Sequence, residues 1–180
     1  MGWLVMVLIA VMALVGLLLW RAAASGKRPR VGDLAPAFSL SDQDGDTRKL
    51  EDFRGKWLAL YFYPRDETPG CVRQACKFRD DWRTLDEMGA DVVGVSVDDV
   101  RSHGAFAKHY SLMFRLLADT SGEVAARYGS LYNLGVFKIA RRNTFLIDPQ
   151  GRIARVYAPA DTAKNSQEVI ADLKELKKLT

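Results

Sequence analysis

The 180-residue chain is poor in the residues that staple small folds or hold metal ions. It has two cysteines, Cys71 and Cys76, and two histidines, His103 and His109. Two cysteines close at most one bond, which excludes a disulfide-built scaffold. Neither histidine lies near a cysteine in sequence, so no run reads as a zinc site and no metal is implied. Internal repeats and low-complexity tracts are lacking as well. An excess of one charge is also scarce. The formal net charge is +4, and the cluster Arg21, Lys27, Arg28 and Arg30 alone equals it. The remainder is nearly neutral, so a pI of about 9.1 is no argument for a nucleic-acid partner, and none is expected.

Charge is missing altogether from Trp3 to Trp20. Eighteen residues at the helical rise span roughly 27 Å, close to a bilayer core. A tryptophan at each end suits the two interfaces. The segment 3–20 therefore reads as a single transmembrane helix in contact with lipid. The basic cluster behind it favours a cytoplasmic domain, with the periplasm as the other orientation. A cleaved signal peptide is the rival, with Ala22-Ala23-Ala24 before Ser25 as its cleavage site. Against it, the Met1-Gly2 start carries no basic side chain. Residues 21–32 read as a basic linker broken by Pro29, and 33–180 as one domain of ordinary size.

Within that domain, Asp42–Asp46 reads as a turn around Asp44-Gly45. Trp57–Tyr63 and Asp91–Val97 read as buried strands. Pro69-Gly70 opens a helix to about Met88, with Cys76, Phe78, Trp82 and Leu85 on its apolar face. Ser102 is a candidate cap for a helix through Tyr110. Phe114–Ala118 leads into a turn and a short helix over Glu123–Tyr128. Asn143–Ile147 and Arg152–Tyr157 read as a hairpin, and Lys164–Leu179 as a closing amphipathic helix. The alternation predicts an α/β sandwich around a mixed sheet.

Cys71 stands at the junction of the first strong strand and the helix after it. Unpaired N–H groups at a helix start stabilise a thiolate, so this is where a fold can present an activated nucleophile. Cys76 follows five residues later, and the flanking chemistry suggests a redox pair.

The run Phe62-Tyr63-Pro64-x-x-x-Thr68-Pro69-Gly70-Cys71 with Cys76 resembles the active-site run of peroxiredoxins, in particular the bacterioferritin-comigratory or Q-type subgroup. Further matches are Pro36-x-Phe38-x-Leu40, Gly94-Val95-Ser96-x-Asp98, Leu116-Leu117-Ala118-Asp119 and Arg142-x-Thr144-Phe145-Leu146-Ile147-Asp148. The resemblance implies a thioredoxin-like α/β fold, with a mixed central sheet flanked by helices. It also implies a thiol peroxidase that acts on hydrogen peroxide and organic hydroperoxides, recycled by thioredoxin or a similar dithiol protein. No cofactor is implied, and the chain is expected to work as a monomer.

Under the resemblance, Cys71 is the peroxidatic cysteine and Cys76 the resolving one. Thr68 orients the peroxide, Pro64 shields the pocket, and Arg142 holds thiolate and peroxide. On their own, Thr68 would read as a helix cap and Arg142 as a surface arginine beside Arg141. The subgroup usually has Thr and Glu where this chain has Val72 and Gln74. Cysteines five apart in a regular helix have Cα atoms roughly 8–9 Å apart, beyond disulfide reach of about 7 Å. Closing the bond therefore requires local unwinding. Two readings compete: a protein thiol–disulfide oxidoreductase, which usually carries a tighter Cys-x-x-Cys, and a binding module whose cysteines are incidental.

Overall fold

The computed structural model describes residues 26–133, 135 and 137–178, together with Trp3, Met6 and Met12. A seven-stranded sheet forms the centre. Its strands are β1 (Ser39–Asp42), β2 (Thr47–Lys49), β3 (Trp57–Phe62), β4 (Ala90–Ser96), β5 (Arg115–Ala118), β8 (Asn143–Ile147) and β9 (Ile153–Tyr157). Across the sheet they follow the order β2-β1-β5-β4-β3-β8-β9. β3, β4 and β5 run parallel, and the other pairs are antiparallel. β6 (Leu131–Asn133) and β7 (Lys138–Ala140) form a separate ribbon. The helices are α1 (Pro69–Asp80), α2 (Trp82–Glu87), α3 (Val100–His109), α4 (Glu123–Arg127) and α5 (Asn165–Leu176). This is a thioredoxin-like α/β fold with a mixed sheet and flanking helices.

β3 explains why the central strands read as unbroken apolar runs. Side chains alternate between faces along a strand, and both faces here are covered. Ala59 and Tyr61, with Tyr63 just beyond the strand, enter one core with Cys71, Phe78, Phe106 and Leu173 from α1, α3 and α5. Leu58, Leu60 and Phe62 enter the opposite core with Phe38, Val124, Tyr128 and Phe145. Burying each large side chain of this kind contributes about 1.5–3 kcal/mol, so β3 is fixed in the middle of the sheet. The strand's end, and the loop leaving it, are fixed with it.

Four expectations are corrected. The helix from Pro69 does not run on to Met88. It stops at Asp80, and α2 starts at Trp82, with Asp81 (φ −93°, ψ 0°) as the cap between them; the Asp81 carboxylate accepts a bond from Ser166 Oγ at 2.6 Å. The cap of α3 is Asp99, whose side chain accepts from the Ser102 N–H at 2.8 Å, so Ser102 lies inside the helix. Residues 26–32, read as linker, lie against the body. Pro29 is buried, Gly32 N bonds Ile153 O at 2.8 Å, and a Cβ on Gly129 would stand 2.7 Å from the Arg28 backbone.

The fourth correction concerns the transmembrane helix over 3–20. A spanning helix needs about 20 consecutive apolar residues in one helix. No helix among the described residues is long and apolar enough to cross a membrane. Of that segment only Trp3, Met6 and Met12 are described, each helical and exposed; the rest lies outside the described residues. The expected lipid contact through 3–20 and the membrane localisation rest on that same segment and find no spanning helix among the described residues.

Candidate active site

α1 starts where it does for a local reason. Pro69 supplies a helical φ and has no N–H to leave unpaired. The residue before a proline favours an extended backbone, and Thr68 is extended (φ −78°, ψ 142°) without capping α1 through its side chain. Val72 N already bonds Thr68 O at 2.9 Å. The donors that the first turn leaves unmatched within the helix are therefore those of Gly70 and Cys71. Cys71 sits in that turn with its side chain buried, and Cys76 is half-buried further along; both are free thiols.

Sheet register brings Arg142 to the same place. Phe62 of β3 pairs with Asn143 of β8, so Arg142, one residue earlier, stands level with the chain leaving β3. Its Nη2 lies 3.4 Å from Cys71 Sγ. Gly70 makes room: a Cβ there would lie 3.1 Å from the same Nη2. Nη1 donates to Gln74 Oε1 at 2.7 Å, and Gln74 Nε2 donates to Asn165 Oδ1 at 3.0 Å. The same Asn165 oxygen accepts from Thr144 Oγ1 at 2.6 Å. One buried chain of bonds thus links the arginine to α1, β8 and α5.

The five residues singled out in the sequence are not all gathered together. Cys71 and Arg142 meet. Thr68 Oγ1 donates to the Arg65 carbonyl at 3.0 Å. Thr68 and Pro64 line a groove of about 430 Å³, whose other wall includes Val97, Phe137 and Ile139. Cys76 is not drawn to Cys71, since both lie in the unbroken helix α1.

Gln74 was visible only as a departure from a pattern, and its role as partner of Arg142 was not. Asn165 carried no signal, because its bond to Gln74 spans 91 residues. Asp66 and His103 also went unread. Asp66 lies two residues before Thr68, and its carboxylate accepts from His103 Nδ1 at 2.9 Å. Burial pushes the Asp66 carboxyl up, but bonds from His103, Ser102 and Tyr63 outweigh that and hold it below its ordinary value.

Chemically, a buried sulfur beside a guanidinium and unmatched N–H donors suits a thiolate that attacks a polar, compact electrophile.

Residues 31–156 match the AhpC/TSA family. The chain is 40% identical over 147 residues to a putative peroxiredoxin bcp of Coxiella burnetii, covering 79% of this chain and 97% of that protein. It is 44% identical over 140 residues to the chloroplastic peroxiredoxin Q of Triticum aestivum, covering 76% of this chain and 64% of the wheat protein. The peroxidoxin BcpB structure from Mycobacterium tuberculosis superposes with a TM-score of 0.78 at 32% identity, over 82% of this chain and 98% of that one. A cysteine-to-serine mutant of Xylella fastidiosa PrxQ gives 0.78 at 27% identity, over 84% and 99%.

Proposed function

The chain belongs to the AhpC/TSA family, in its peroxiredoxin Q and bcp branch, and is by class a thioredoxin-dependent peroxiredoxin; from that premise we propose that Cys71 reduces hydroperoxides and Cys76 resolves the product. The Cys71 thiolate attacks the terminal oxygen of ROOH. The O–O bond breaks, the sulfur takes that hydroxyl and becomes a sulfenic acid, and RO⁻ leaves and takes a proton from solvent. The Cys76 thiol then condenses with the sulfenic acid, releasing water and forming one S–S bond. Two thiols of a dithiol protein such as thioredoxin reduce it by exchange.

The observation that carries this reading is the contact of Arg142 Nη2 with the buried Cys71 sulfur, 3.4 Å away. The guanidinium favours the thiolate, and it remains in place as charge develops on the departing oxygen. Thr68 orients the peroxide and Pro64 limits water. The test is peroxide consumption with thioredoxin supplied, and mass analysis after one equivalent of peroxide. The expected result is rapid turnover with a Cys71–Cys76 bond. No peroxide consumption, or insulin-disulfide reduction instead, refutes the reading.

A further inference from the structure

The loop joining β3 to α1 carries Thr68 and delivers Cys71, and it is held by one residue the chemistry above does not use. Asp66 is 5% exposed. Its Oδ1 accepts from the Tyr63 hydroxyl at 2.7 Å. Its Oδ2 accepts from Ser102 Oγ at 2.7 Å and from His103 Nδ1 at 2.9 Å. Its N–H donates to Asp98 Oδ2 at 2.9 Å. His103 is fully buried, and its Nε2 lies 3.1 Å from the Leu117 carbonyl. Both ring nitrogens thus have partners, and the buried contact between Asp66 and His103 ties the loop to α3 and β5.

We propose that Asp66 and His103 are positioning residues for the peroxidase reaction, holding the loop so that Thr68 and the first turn of α1 stand in reactive register; this presupposes the peroxidase reading of Cys71. Neither residue touches the sulfur. Their effect runs through the chain from Asp66 to Cys71, five residues on. Removing either side chain leaves buried polar atoms of the other without their partner, and the loop loses its fixed point.

Other polar side chains close around the pair. Tyr63, from the end of β3, also lies 3.4 Å from His103 Nδ1, and burial pushes its hydroxyl well above the ordinary range. Asp98, after β4, accepts from Ser96 Oγ at 2.7 Å and faces the exposed Arg65 at 3.7 Å. From β5 the Leu117 carbonyl meets the ring, and from α3 Ser102 bonds the same Asp66 oxygen.

The experiment follows the second-order rate of Cys71 oxidation by hydrogen peroxide in the full chain at one fixed pH, with thermal denaturation checking that each variant is folded. His103→Gln and Asp66→Asn should each slow that rate by about tenfold or more, as misplaced reacting groups do. The double variant, in which the two amides can bond each other, should be faster than either single variant, a rescue that lost packing alone would not give. A single variant that keeps the wild-type rate overturns the proposal, as does a double variant no faster than the single ones. If the single variants do not fold, Ser102→Ala decides: it removes one bond to Asp66 Oδ2 and should slow the rate by about threefold, and an unchanged rate overturns the proposal. Wild type that consumes no peroxide would refute the peroxidase reading itself, which is a different failure.

Discussion

Cys71 and Cys76 share the helix α1, yet the chain holds its two ends in opposite ways. The Cys71 end is bound from three sides, by Arg142 on the sulfur, by Gln74 and Asn165 behind Arg142, and by the loop leaving β3. The Cys76 side is half-buried and leads to the break at Asp81. Its side-chain ties include Phe78 stacked on Tyr61, with centroids 5.0 Å apart, Arg79 Nη1 on the Tyr110 carbonyl at 2.9 Å, and Ser166 on Asp81 just past the helix end. The contrast suits a two-step reaction. The first step needs a preorganised sulfur. The second needs a thiol that can travel, because helix geometry keeps the two Cα atoms roughly 8–9 Å apart.

The sharpest way to break this contrast is to remove each sulfur in turn. Cys71→Ser should abolish peroxide turnover. Cys76→Ser should leave the first oxidation nearly intact and block turnover with thioredoxin. Stopped-flow oxidation and steady-state assays separate the two steps. Normal turnover by the Cys76→Ser protein would show that the half-buried thiol is not the resolving one.

The next largest effect falls on Arg142. Met keeps much of the length but not the charge or the donors, so Arg142→Met should slow the reaction with peroxide by roughly a hundredfold, the scale of a lost transition-state donor. Arg141→Met is the control. Arg141 is half-buried and lies over the Tyr132 ring, 4.1 Å from its centroid, and its loss should change the rate by less than about threefold, since a cation–π contact of about 0.5–1 kcal/mol acts on stability rather than on the sulfur. Equal effects of the two substitutions would dissolve the special status of the Cys71 end.

Which parts of this were legible in the sequence follows from how local each signal is. β8 was read with its observed bounds, Asn143–Ile147, because five consecutive buried residues in a β-rich run leave few alternatives. The β1–β2 hairpin was read only as its turn. Its strands are short and polar, and the buried Asp42 carboxylate that organises them binds Arg48, Arg115 and the N–H groups of Asp44 and Asp46, contacts that no periodicity reports. At the site, Cys71 was legible from its junction. Arg142 was legible only through resemblance, since 71 residues separate it from the sulfur it meets. The split at Asp81 was hidden for the same reason: its partner Ser166 lies 85 residues away.

Oxidation offers a third test, smaller in scale. Because a regular helix cannot hold a bond between Cys71 and Cys76, the disulfide form should be less helical over residues 73–78. Amide exchange there should speed up by about tenfold or more relative to the reduced protein, as local opening becomes the ground state. The loop through Asp66 should keep its protection. Unchanged exchange over 73–78, with the bond confirmed by mass, would mean that the Cys71 end moves instead.

The finest test is Gln74→Glu, which leaves every sulfur and the arginine in place. Gln74 is buried and gives Arg142 a neutral acceptor at 2.7 Å, so the guanidinium charge is not shared with a second anion. A carboxylate in its place would compete with the Cys71 thiolate for that charge. It would also set an oxygen against Asn165 Oδ1, where the amide N–H₂ of Gln74 now donates at 3.0 Å. Asn165 can answer by turning its amide, because its Nδ2 is buried without a partner and would then donate to both the carboxylate and Thr144 Oγ1. The fold should therefore absorb the change, with stability shifted by about 1 kcal/mol or less. The rate with peroxide should fall by roughly threefold to tenfold, equivalent to about 0.7–1.4 kcal/mol of lost thiolate and transition-state stabilisation. Thermal denaturation and stopped-flow oxidation read the two quantities separately. An unchanged rate would mean that the neutral partner of Arg142 gives the Cys71 end no electrostatic advantage. A large loss of stability would mean that the amide of Asn165 cannot turn.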